Sequence, residues 1–201
     1  MNAHAHAHAH PQASELRPAP AWTVAQWFNT NHPLSVDSLR GKVIVLEAFQ
    51  MLCPGCVSHG LPQALRVHQT FAATEVAVIG LHTVFEHHGA MTPVALQAFL
   101  HEYRIPFPVG VDMPDGHGGV PLTMRSYAMR GTPTLILIDA RGNLRREFFG
   151  SVSDLTLGAE IAELVLEARA TPAHVASVVS VDTAGMRADE CVSGACALGT
   201  K

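Results

Sequence analysis

Residues 42–56 read KVIVLEAFQMLCPGC, and this stretch decides the fold. Residues 42–50 form a nearly continuous apolar run, the signature of a central strand covered on both faces. The run ends on Cys53-Pro54-Gly55-Cys56. Pro54 suits the first turn of a helix, where a missing N–H has no intrahelical partner to lose. A helix is therefore expected from Pro54 to about Phe71, with Leu61, Leu65 and His68 on one face and Pro62 kinking or breaking it. A sulfur at the point where a strand turns into a helix meets the partial positive charge of the helix N-terminus, which favours the thiolate. Thiolate is the nucleophile of disulfide exchange, and two spacer residues bring the second sulfur within reach of the first. Cys53 thus reads as the attacking thiol and Cys56 as the thiol that releases a mixed disulfide. The same spacing fits half of a metal site, but no second Cys-x-x-Cys follows at zinc-finger spacing.

Glu47 stands inside the apolar run, six residues before Cys53. A carboxyl group there must be desolvated, which raises its pKa and equips it to shuttle the proton of Cys56. The plainer alternative is a Glu at a strand edge turned to solvent.

Working outward, residues 75–82 (EVAVIGLH) read as a second buried strand. Thr92-Pro93 opens a helix to about Tyr103. Residues 107–111 form a short strand, 112–121 a Gly-rich polar loop and 122–129 a short helix. Residues 134–139 (TLILID) are a further strand, with a turn at 140–143 and a partner strand at 144–149. Asp154 caps a last helix to about Ala170. Order begins near Trp22, and Trp27 and Phe28 fall on a short strand or turn. A parallel unit closed by a hairpin and a helix implies an α/β fold with a mixed sheet and helices on both faces. Gly131-Thr132-Pro133-Thr134 directly precedes a strand, where the lost N–H of Pro is tolerated; cis and trans are both open there.

The chain has 201 residues, enough for one domain with tails, and 48% of them are apolar. Lys plus Arg number 13 against 17 Asp plus Glu, a net charge of −4 with no run of one sign, which argues against a nucleic-acid partner. No apolar run is long enough to span a bilayer, and the N-terminus lacks the basic flank and apolar stretch of a signal peptide. A soluble, cytoplasmic protein is the resulting expectation. Three segments follow: 1–20, a disordered His-Ala-rich leader or tag; 21–170, the folded domain; and 171–201, a tail of small residues carrying Cys191 and Cys196. Four cysteines in two close pairs do not resemble a disulfide scaffold, which would spread them along the chain.

Taken together, LRGKVIVLEAFQMLCPGC, GTPTLILIDARGNL and the element order between them resemble the thioredoxin-fold redoxins. These include the TlpA-like thiol–disulfide oxidoreductases and, more distantly, the AhpC/TSA peroxiredoxins. The resemblance covers about residues 34–168. It implies a thioredoxin-like fold with an inserted strand–helix unit between Cys56 and Thr132. It implies Cys53 as attacking and Cys56 as resolving thiol, Glu47 as the buried acid, Pro133 as the cis-proline packed on the dithiol, and Thr132 as the residue whose backbone pairs with a bound peptide. The implied partners are a disulfide-containing protein or small thiol and an external dithiol electron donor, with no cofactor. Leu52 stands where the family commonly has Trp, and Pro62 lies one residue later than usual.

Two rival readings remain at this level. In a thiol peroxidase Cys56 or Cys53 would attack peroxide, yet the upstream Pro and the Arg before TLILID are missing. In a metal-binding redoxin the numerous histidines (His82, His87, His88, His101, His117) would matter, yet copper-delivery relatives use three spacers between cysteines rather than two. Cys191 and Cys196, with Ser193 and Gly194 between them allowing a tight disulfide loop, are candidates for a redox relay to Cys53, with soft-metal binding or two incidental thiols as the alternatives.

Overall fold

The computed structural model describes residues 16–170. Its framework is one seven-stranded sheet: β1 (Arg17–Pro18), β2 (Val24–Phe28), β3 (Val43–Phe49), β4 (Val76–His82), β5 (Val109–Asp112), β6 (Thr134–Ile138) and β7 (Asn143–Phe149). The strands lie side by side in the order β1-β7-β6-β3-β4-β5-β2. β3, β4 and β5 run parallel, while β6, β7, β1 and β2 each pair antiparallel with their neighbours. The expected mixed sheet is therefore present, with β3 near its middle and every one of its seven residues buried.

Alternation along β3 builds two cores. Val43, Val45 and Phe49 face one side, where they meet the buried residues of α1 (Leu61–Thr70), α2 (Pro93–Glu102) and α4 (Asp154–Ala170). Ile44, Leu46 and Ala48 face the other, with Met124 of α3 (Leu122–Ser126), Tyr127, Met129 and, at the rim, Trp22 and Trp27. Each fully buried Leu, Ile or Phe contributes about 1.5–3 kcal/mol of hydrophobic stabilisation. β3 supplies Ile44, Leu46 and Phe49, all at most 1% exposed.

Three details depart from the sequence reading. Pairing begins at Arg17 rather than near Trp22: Arg17 and Pro18 sit opposite Leu144 and Asn143, and Ala19 N–H donates to Gly142 O at 2.9 Å. Edge pairing uses the main chain and needs no apolar side chain, so hydropathy does not reveal it; Pro18 is tolerated because an edge strand leaves one side unbonded. Second, Pro62 neither breaks nor interrupts the helix that starts at Pro54. A π-helical turn, Cys56–Gly60, lies just ahead of it, and Leu61 N–H bonds back to Cys56 O. The wider turn shifts the bonding register, so Pro62 falls in the first turn of α1, where it loses nothing. Third, Asp112, assigned to the loop, is the last residue of β5. It is buried and accepts from Thr83 Oγ1 (3.0 Å), Thr123 N (2.8 Å) and Met124 N (2.9 Å), tying β4, β5 and α3 together.

Candidate active site

The C-terminal end of β3 delivers the dithiol. Gln50, buried at 1% exposure, anchors the approach: its Oε1 accepts from Phe85 N at 3.2 Å and its main-chain O from Cys53 N at 3.2 Å. Leu52 projects to solvent with 56% exposure. Cys53 is half-buried and accessible, and Cys56 is fully buried. Cys56 N–H donates to Cys53 Sγ at 3.2 Å, and Val57 N–H to Cys53 O at 3.1 Å. The first sulfur therefore sits on an unpaired amide of the helix start, the placement that stabilises negative charge. Burial, followed by the Cys53 sulfur beside it, pushes the Cys56 thiol up to about 12.

The loop before β6 closes over this pair. The Thr132–Pro133 bond is cis, and both residues are half-buried. Cys53 S–H donates to Thr132 O at 3.5 Å. A Cβ placed on Gly55 would lie 3.2 Å from Pro133 Cδ, so the Cys-Pro-Gly-Cys turn and Pro133 are in close packing. Gly150 N–H holds Pro133 O at 2.9 Å from the end of β7, at a φ of +83° that favours glycine. Arg130 lies over the ring of Phe149 at 4.7 Å, next to the same loop.

Glu47 is 1% exposed, which rules out the solvent-facing alternative. Burial, and then the charge of Cys53, hold its carboxyl well above the usual carboxylate range. Its Oε1 has no hydrogen-bond partner among the described residues. A Cβ on Gly60 would collide with that oxygen, so the π-helical turn packs a bare glycine directly on the carboxyl group. A cavity of about 110 Å³ opens beside it, lined by Glu47, Ser58, His59, Gly60 and Asp154 among others.

Of the residues singled out in the sequence, Glu47, Cys53, Cys56, Thr132 and Pro133, the fold brings Cys53 against both Cys56 and Thr132. The sequence reading missed Gln50, Gly60 and the Ser58–His59 pair. The available signal was a glycine two residues before Pro62, inside a helical stretch where glycine costs about 1 kcal/mol relative to Ala. Cys191 and Cys196 lie outside the described residues. The histidines singled out as metal candidates are dispersed: His82 is buried on β4 against Phe49, its ring centroid 5.3 Å away, and His101 pairs with Glu102 on α2. Among the described residues no three His, Cys, Asp or Glu side chains converge as a metal site. A second cavity, about 620 Å³, lies at the far pole among Gly41, Glu75, Asp139 and Ala170, away from the dithiol.

Comparison with known proteins places this geometry in context. The chain is 62% identical to a thioredoxin-like superfamily protein of known crystal structure, over 74% of this chain and 96% of that one, with a TM-score of 0.73. It is 49% identical to a thiol-disulfide isomerase from Corynebacterium glutamicum, covering 73% of this chain and 96% of that one, with a TM-score of 0.70. Among curated proteins, DipZ of Mycobacterium tuberculosis is 30% identical over 129 residues, 63% of this chain but only 17% of DipZ. The thiol:disulfide interchange protein DsbE of Allochromatium vinosum is 26% identical over 149 residues, 74% of each chain. The thioredoxin-like fold is common to these structures. The AhpC/TSA family profile matches residues 16–147, from the first edge strand into the terminal hairpin, and the chain belongs to the AhpC/TSA family.

Proposed function

We propose that this protein is a thiol–disulfide oxidoreductase in which Cys53 attacks a disulfide of a protein or small-thiol substrate and Cys56 resolves the mixed disulfide. The observation that carries the reading is the asymmetry of the two sulfurs. Cys53 is accessible and accepts an amide N–H at 3.2 Å; Cys56 is buried, with its thiol pushed up to about 12. The first is prepared to meet a substrate, and the second reacts only once the first has been engaged. The half-buried main chain at Thr132 offers the substrate a strand-like docking edge beside the attacking sulfur. Resemblance to DsbE and to the isomerase supports protein disulfides as the substrate class.

In the reaction Cys53 thiolate forms a bond to one substrate sulfur and the other leaves as a thiolate. Glu47 takes the proton of Cys56 through intervening water. Cys56 then attacks Cys53 Sγ, closing the Cys53–Cys56 disulfide and expelling the second substrate sulfur. The substrate gains two electrons, and an external dithiol restores the pair.

A peroxidase reading is supported by the family, and the greater exposure of its sulfur supports Cys53 over Cys56 as the peroxidatic thiol. The deciding experiment assays a protein disulfide and hydrogen peroxide side by side. Exchange that exceeds peroxide reduction and vanishes in Cys53→Ser supports the proposal; peroxide turnover without disulfide exchange overturns it.

The tail dithiol fits the role of an intramolecular relay. Twenty residues separate Ala170 from Cys191, a reach of up to about 70 Å when extended, which exceeds the roughly 40 Å diameter of a domain of this size. Replacing both Cys191 and Cys196 with Ser should slow turnover with an external donor, and an unchanged rate removes the relay.

A further inference from the structure

We propose that the cavity beside Glu47 is the proton exit of the site, with water carrying the proton from Glu47 to the His59 imidazole at its mouth. The inference rests on the exchange reading above. It assigns a task to a cavity and two side chains that exchange itself does not require.

A proton taken up by Glu47 must leave again before the next turnover, and the oxidised dithiol no longer offers a group to return it to. The cavity provides a way out. At about 110 Å³ it has room for about three waters. Water needs polar partners, and Glu47 Oε1 supplies a buried one with no partner among the described residues. Gly60 keeps the passage open: any larger side chain would fill the space over Oε1 and also press on Pro133, whose Cβ would be 3.1 Å away.

The far end is built to accept the proton. Ser58 Oγ lies 2.7 Å from Pro54 O and 2.7 Å from His59 Nδ1. A hydroxyl has one hydrogen, and Pro54 O can only accept it. The hydroxyl therefore accepts from His59 Nδ1–H, which leaves Nε2 as the free basic nitrogen. An open Nε2 carries a lone pair that can accept a proton from water. The charged groups that share the cavity wall are engaged elsewhere. Arg66 Nε meets Asp154 Oδ2 at 2.9 Å, and Gln63 Nε2 meets Asp154 Oδ1 at 2.7 Å. Cys53 is the charge that acts on Glu47 from the dithiol side.

The steps balance without any added redox partner. Cys56–SH gives its proton to ionised Glu47, and the resulting thiolate forms the bond to Cys53 Sγ as the substrate thiolate leaves. Glu47–COOH gives the proton through cavity water to His59 Nε2, and His59 releases it to solvent. His59 touches neither sulfur and acts as a relay rather than a catalytic residue.

The test follows the decay of a mixed disulfide between Cys53 and an aryl thiol in the full chain, by absorbance of the released thiol, in weakly buffered solution. His59→Gln should slow release about threefold or more, and free imidazole in the buffer should restore it, whereas the wild-type rate is insensitive to imidazole. Ser58→Ala, on the helix surface, should show a smaller effect in the same direction. The equilibrium between dithiol and disulfide should be the same in all three proteins, because a relay changes a rate and not an end state. A His59→Gln protein with the wild-type rate and no response to imidazole overturns the exit. A wild-type mixed disulfide that never resolves sinks the exchange reading itself, which separates the two failures.

Discussion

Two carboxyl groups are buried at opposite ends of the same sheet, Glu47 toward the dithiol and Asp139 at the turn between β6 and β7, and the fold treats them in opposite ways. Asp139 is 5% exposed and saturated with donors. Its Oδ1 accepts from Arg141 N at 2.9 Å, Asn143 N at 2.8 Å and Asn143 Nδ2 at 3.2 Å; its Oδ2 accepts from Asn143 Nδ2 at 3.1 Å and Arg145 Nη1 at 3.5 Å. Glycine at position 142, with φ of +78°, lets the chain turn tightly enough for these donors to converge. Glu47 is more deeply buried, yet one of its oxygens has no partner among the described residues and glycine rather than a donor is packed over it. A buried carboxyl group that only holds structure is surrounded by N–H groups, because leaving it unsatisfied costs stability. A buried carboxyl group that must gain and lose a proton cannot be held so firmly in one state. The contrast assigns structure to Asp139 and chemistry to Glu47.

The contrast can be broken at several points. Asp139→Ala leaves the buried donors of the turn unpaired and should destabilise the fold by about 3 kcal/mol in denaturant titrations, while disulfide exchange per folded molecule stays unchanged. A loss of exchange in that folded variant would erase the division between the two carboxyl groups.

His82 sharpens the comparison from the basic side. Both its ring nitrogens are buried without a partner among the described residues, and burial pushes the imidazole down to about 4. Unfolded histidine titrates near 6.5. Between these values the unfolded chain binds a proton that the native protein does not, so stability falls as pH drops through the window. The fall between pH 7 and pH 5 should be about 2 kcal/mol, and His82→Leu should remove it. An unchanged acid dependence in that variant would show that His82 is not the group responsible.

Glu47 gives the opposite sign. Its pKa is raised in the native state above the unfolded value of about 4.3, so between the two the native protein keeps a proton that the unfolded chain has lost. Its contribution to stability is complete at low pH and is lost as pH rises through the native pKa. Glu47→Gln should flatten that slope and raise stability on the alkaline side. The same change should slow resolution of the mixed disulfide about tenfold, the low end for a positioned general base because cavity water can partly replace it. A variant that is both less stable and unchanged in rate would place Glu47 with Asp139.

Much of this was legible in the sequence, for identifiable reasons. β3 and β6 declare themselves because a strand covered on both faces is nearly all apolar, as residues 43–49 and 134–138 are apart from Glu47 and Thr134. A charged residue inside such a strand is conspicuous, and so Glu47 was found together with the dithiol. The edge strands β1 and β2 were missed or left open because main-chain pairing leaves little trace in side-chain identity. The break expected at Pro62 does not occur because the rule for proline assumes regular α-helical bonding, and the π-helical turn just ahead removes the bond that proline would have broken. Gly60 leaves only a faint signal, a costly glycine inside a helical stretch, because its role is the space it leaves over Glu47, which only the packing of the π-helical turn on β3 defines.

The central claim is that Cys53 is the sulfur that meets substrate and Cys56 the sulfur that releases it. Cys56→Ser, incubated with a small-molecule disulfide and analysed by peptide mass spectrometry, tests this directly. The account predicts a stable mixed disulfide on Cys53 that the wild-type chain does not accumulate. An adduct carried on Cys191 or Cys196 instead, with Cys53 unmodified, would contradict it.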